Sequence, residues 1–180
     1  MSLLKVDDIQ TTGGAPNRGH IIQVVSTTMT ELASYSISGM TWTEVTPLTL
    51  AITPRASNSK ILCMLTMGGM ASSTSGQRYG VALRRNSTNI AINTNSGAYT
   101  QASWAYTGRG LGNALEGHPS FNHLDSPSTT SSVTYRVMIT TEGSYTLYVN
   151  RSQSDSSSSS VFRTASSFTL MEVSLSLIHI

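Results

Sequence analysis

The stretch "EGHPSFNHLD" gathers Glu116, His118, His123 and Asp125 within ten residues. Carboxylates and imidazoles this close could offer a metal ion oxygen and nitrogen donors. The intervals between them match no compact ligand motif, so no metal is expected, and the four read as a polar loop running into a strand edge. Ser, His and Asp all occur, yet there is no G-x-S-x-G elbow, and serine is so abundant that chance proximity would mimic a triad. Glycan cleavage needs two carboxylates facing each other across a cleft. The nine acids are widely dispersed along the chain and suggest no such pair. "GGAPNRG" and "TGRGLGN" are glycine turns without the lysine or the βαβ setting of a phosphate loop. Neither catalysis nor a cofactor is expected.

The remaining candidate is a binding surface. Tyr99, Trp104 and Tyr106, with Arg109 and Asn113, lie in a Gly- and Ser-spaced region between 96 and 117. An aromatic ring can stack on the apolar face of a sugar while guanidinium and amide groups pair with its hydroxyls. The same arrangement suits an envelope protein. The alternative is that Trp104 and Tyr106 simply pack beneath a long loop. Both readings stand at this point.

The elements that would position these residues are strands. With 30 Ser, 24 Thr and 11% charged residues, the chain is poor in helix formers and too weakly charged to be disordered. Short alternating runs of Val, Ile, Thr and Tyr favour sheet. "HIIQVVSTT", "TWTEVTPLTLAITP", "SKILCMLTMGG", "YGVALRRNSTNIAIN" and "ASSFTLMEV" each read as one strand or a hairpin, and "GHPSFNHLDSP" contains another. "SSVTYRVMITT" and "YTLYVNRS" flank a turn at Glu142, Gly143 and Ser144, which predicts that they pair as a hairpin. Eight or nine such strands and no helical period predict an all-β antiparallel sandwich of the jelly-roll kind.

Residues 1–18 differ from the rest. "SLLKVDDIQ" followed by "TTGGAPNRG" reads as an attachment segment and linker, with the domain running from about 19 to 174. The closing "LSLIHI" (175–180) reads as the translation of a transposon-end adapter, which would make it foreign to the native chain. A net charge of +2 with scattered basic residues gives no nucleic-acid stripe. The longest apolar run, Ile61 to Leu65, is far short of the ~20 residues that span a bilayer. Cys63, the single cysteine, sits in "KILCMLTM" and reads as core. The sequons at Asn86 and Asn150 would matter only in a secretory pathway.

In a lone sandwich each strand shows one face to the core and the other to water. "HIIQVV", "KILCML" and "FTLMEV" are apolar on both faces. Their second face needs cover, and copies of the same chain would supply it, most simply as a ring of three. Ile21, Leu62, Met64, Met171 and Val173 are the candidate interface residues.

"LKVDDIQTTGG" followed by "GHIIQVVSTT" resembles the start of bacteriophage tail-fibre and head-fibre proteins of marine and cyanobacterial type. "LDSPSTTSSVTYRVMI", "YTLYVNRSQSD" and "SSFTLMEV" resemble the distal half of the same group. The closing strand is also similar to trimeric heads of the tumour-necrosis-factor and complement type, where the last strand lies near the threefold axis. The resemblance implies a non-enzymatic virion protein, soluble when made. Its partners would be its own copies, other virion proteins through residues 1–18, and a host-surface glycan or protein. A capsid decoration protein is the alternative, and a glycan-degrading spike a more distant one.

Overall fold

The computed structural model describes residues 20–74, 76–95, 97–107, 117–159 and 161–174. Twelve strands and no helix occur among them. In chain order they are β1 (Ile21–Met29), β2 (Ala33–Ile37), β3 (Thr43–Ile52), β4 (Lys60–Thr66), β5 (Met70–Ser72), β6 (Tyr79–Arg85), β7 (Thr88–Ile90), β8 (Trp104–Tyr106), β9 (Ser120–Asp125), β10 (Val133–Thr141), β11 (Tyr145–Val149) and β12 (Ser166–Val173). All pairings are antiparallel. The first sheet has the order β1-β12-β4-β9. The second has β3-β10-β6-β7 with β8 beside β6, and a small third sheet has β2-β11-β5.

Setting aside β2, β5, β8 and β11 leaves eight strands. The first sheet takes the first, eighth, third and sixth of these, and the second takes the second, seventh, fourth and fifth. That interleaving is the jelly roll, so the all-β expectation holds. The third sheet is the addition. Its strands come from the connections β1 to β3, β10 to β12 and β4 to β6, so they gather at one end of the sandwich.

The hairpin expected from the turn at Gly143 does not form: β10 and β11 do not pair. β10 lies between β3 and β6, and β11 between β2 and β5. Both edges of β10 are already hydrogen-bonded within the second sheet, so after Thr141 the chain turns the corner into the third. Thr141 Oγ1 donates to Gly143 O at 2.7 Å and Met40 N to Thr141 O at 2.7 Å, which fixes that corner. Asn150 ties the third sheet back to the first. Fully buried at φ 65°, it donates from Nδ2 to Met29 O (2.9 Å) and Glu31 O (3.0 Å) and accepts from Ser166 Oγ (2.6 Å). A sequon asparagine so enclosed offers no acceptor for a glycan.

The core fills the space between the sheets. Phe168, Leu170, Ile61, Cys63 and Leu65 from the first sheet meet Leu48, Val81, Leu83, Tyr135, Val137 and Ile139 from the second. Burial, with Asp125 adding to it, pushes the Cys63 thiol above its ordinary range, so the thiol stays protonated and inert.

Two carboxylates interrupt this apolar interior, and both are satisfied. Asp125 accepts from Arg85 Nη1 (2.8 and 2.9 Å) and from the Tyr135 hydroxyl (2.6 Å), joining the two sheets. Burial and this bond push the Tyr135 hydroxyl upward. Glu172, fully buried, accepts from Gln23 Nε2 (2.6 Å) and from the Arg55 amide (2.7 Å). Burial alone would raise the Glu172 carboxyl, but hydrogen bonds from Ser59, Gln23 and the amides of Arg55 and Ala56 outweigh it and hold it below the ordinary carboxylate range. A depressed carboxyl adds stability that is present above its unfolded value and lost as pH falls through the folded one. The urea midpoint should therefore decline as pH is lowered from about 5 toward 3. Glu172→Gln should start lower at pH 6 and show a shallower decline over that window. An unchanged slope in the variant would contradict this role for Glu172.

Candidate functional site

The ends of the sandwich differ. Gln23 Nε2 donates to Thr53 O at 2.8 Å, and Ser174 N to His20 O at 2.9 Å, so the described chain enters and leaves at one end. The other end carries the third sheet and an open groove of about 400 Å³. Strand rise puts the two ends roughly 30 Å apart. The groove is lined by the β2–β3 turn, the start of β6, the segment 98–107 and the end of β10.

Its floor is the outer face of the second sheet, at the cross-strand pair Thr140 and Gly80. Gly80 brings Ala102 close, since a Cβ there would lie 3.3 Å from the Ala102 methyl. Ala98, Ala102 and Ala105 keep the lining small and apolar. The Thr140 hydroxyl is buried and has no hydrogen-bond partner among the described residues. Tyr99 and Tyr106 supply the rings. Tyr99 is 78% exposed, and its position depends on Gly97, at φ 136°, where a Cβ would come within 2.8 Å of the ring. Met40 also lines the groove from a left-handed turn at φ 62°, unusual for a non-glycine residue, and Thr100 Oγ1 donates to its sulfur at 3.6 Å. On the rim, Arg78 pairs with Glu142, Nη1 to Oε2 at 2.9 Å, and the Arg78 amide donates to Oε1 at 2.9 Å. Among the described residues the rim thus carries both signs and no net charge.

Tyr99 and Tyr106 come together here as candidate binding residues, but Trp104 does not. Its ring lies 6.1 Å from that of Tyr79 and covers Gly117, where a Cβ would meet the indole at 2.6 Å. Trp104 packs at the edge of the core, the outcome left open from sequence, because β8 pairs with β6 and its alternation sends Trp104 inward. Tyr106 does both things, stacking on Tyr79 at 5.1 Å while lining the groove. Arg109, Asn113 and Glu116 lie outside the described residues.

The other members of the polar cluster separate. His118 Nδ1 lies 2.6 Å from Gly68 O, His123 faces inward opposite Cys63, and Asp125 is held by Arg85 and Tyr135. No group of three or more metal-ligating side chains is assembled among the described residues.

A second surface is the outer face of the first sheet. Register places Val24 opposite Met171, Met171 opposite Leu62 and Leu62 opposite Leu124, an apolar row across all four strands. Ile21 and Val173 flank the row on one side, and Met64 lies on the other. None of these is buried: Ile21 is 55% exposed, Val24 54%, Leu124 51% and Met64 37%. Toward the third sheet the face turns to hydroxyls, at Thr28, Ser167, Thr66 and Ser120. All five interface candidates lie on this face.

No protein-family model and no curated protein matches the chain. Among solved structures, that of the Gt strain of infectious bursal disease virus is 12% identical over 96% of this chain and 44% of that one, with a TM-score of 0.40. A VP2 subviral particle of the same virus is 10% identical over 96% and 44%, at 0.39. The Gx strain is 12% identical over 97% and 41%, also at 0.39. The chain spans less than half the length of these proteins. A likeness this loose transfers no residue and no role, and the site rests on its own geometry.

Sequence reasoning missed Met40, Arg78 and Glu142 in the groove, and Val24 and Leu124 in the apolar row. The groove residues come from three turns distant in sequence, and no local pattern links them. Leu124 had a signal: the alternation of "SFNHLD" puts it with Ser120 and Asn122 on the outer face.

Proposed function

We propose that the chain is the head domain of a virion fibre, a non-enzymatic homotrimer that recognises a host-surface glycan or envelope protein. The observation that carries this reading is the separation of the two ends. Residues 1–18 join the domain through His20 at one end, and the open groove lies at the other. A head attached at its base and reading a surface at its tip needs that layout. The apolar row supports the trimer, since β12 sits in the sheet whose outer face is left open, as in the trimeric heads its last strand resembles.

The orientation of two acids adds support. In β9 and β12 the acids Asp125 and Glu172 face inward while Leu124 and Met171 face out. Hydropathy alone would favour the reverse. A fold that satisfies two buried carboxylates while exposing their apolar neighbours is built to have that face covered.

Labelled full-length chain should bind cells from a panel of marine bacteria that includes cyanobacteria, and should not bind empty capsids. Tyr99→Ala should weaken cell binding about tenfold or more, as expected for a central aromatic contact, without shifting the melting temperature. Capsid binding without cell binding would favour a decoration protein and refute the receptor reading.

A further inference from the structure

Resting on the reading of the groove as a glycan contact, we infer that it takes a neutral N-acetylated hexosamine, with the acetamido methyl on the floor. The lining decides the class. Among the described residues lining the groove the charged ones are Arg78 and Glu142, which pair at the rim and leave no net charge to attract a sialic or uronic acid carboxylate. Among the described residues the floor of Gly80, Ala102 and Ala105 carries no polar side chain, and the Thr140 hydroxyl beside it is buried.

A plain hexose pressed onto that floor would bury a hydroxyl without a partner, which is unfavourable. A methyl group would be favoured there, and small side chains leave room for one. Tyr99, largely exposed at the mouth, can cover the apolar face of the ring. The guanidinium of Arg78, 65% exposed, keeps N–H groups free of Glu142 to meet the outer hydroxyls.

The test is titration calorimetry of the full chain with N-acetylglucosamine, N-acetylgalactosamine, glucose and galactose. The expected result is roughly twentyfold or more tighter binding of the N-acetylated sugars, from one buried methyl and one avoided unpaired hydroxyl. Ala105→Leu, at an exposed position that tolerates the change, should erase the preference by filling the floor. Tyr99→Ala should remove binding of all four sugars. Equal binding of the N-acetylated and plain sugars would overturn this inference and leave the glycan reading standing. No sugar binding, together with Tyr99-dependent binding to cells, would overturn it in favour of a protein receptor. Absence of both would overturn the groove's role altogether.

Discussion

Replacing Asp125 with alanine should destabilise the fold by about 3 kcal/mol, read as the shift in a urea unfolding curve at pH 7. The change removes a carboxylate that ties β9 of the first sheet to β6 and β10 of the second. Tyr135, with no exposed surface, would keep a hydroxyl without an acceptor, at about 1–3 kcal/mol. Arg85 would lose its ion pair, but its side chain is 30% exposed and can turn to water, so the loss should sit near the bottom of the ~3–5 kcal/mol typical of broken buried pairs. Asp125→Asn keeps an acceptor for Tyr135 and should cost less. The double variant Asp125→Ala/Tyr135→Phe should be about 1 kcal/mol more stable than additivity predicts, because the orphaned hydroxyl is gone. Strict additivity would mean that the Tyr135 bond contributes nothing.

Replacing Leu62 with glutamate should abolish self-association while leaving the domain folded. Leu62 stands between Met171 and Leu124 in the apolar row. Its side chain points away from the core, so a carboxylate there stays hydrated in an isolated copy. In an assembly, symmetry brings the charge against apolar surface and against its own equivalents. Such a mismatch is worth about 2–5 kcal/mol, a weakening of association of roughly 30-fold or more. Thr66→Glu, on the hydroxyl-bearing part of the same face, is the control and should have a much smaller effect. If both variants leave association unchanged, the interface lies elsewhere on the molecule.

How much of this was legible in the sequence depends on how local each feature is. β1, β3, β4, β6, β9, β10 and β12 follow from alternation and turn residues, because one face of each is fixed by the core. The two-sided apolarity of "KILCML" correctly separated Ile61, Cys63 and Leu65 from Leu62 and Met64. β2 and β5 were missed, since three- and five-residue strands in Ser-rich stretches carry little hydropathy signal. The β10–β11 hairpin failed for a nonlocal reason: a turn at Gly143 suits a hairpin, but both edges of β10 are taken by strands far away in sequence. Of the binding candidates, Tyr99 and Tyr106 were readable as loop aromatics. Arg78, Glu142 and Met40 join them only once the sheets have closed.

The most direct test of the account is sedimentation velocity of the unaltered full-length chain at micromolar concentration. The account predicts one species with the mass of three chains, giving way to monomer in Leu62→Glu. A stable, well-folded monomer of the unaltered chain, with the Val24–Met171–Leu62–Leu124 row open to water, would contradict it.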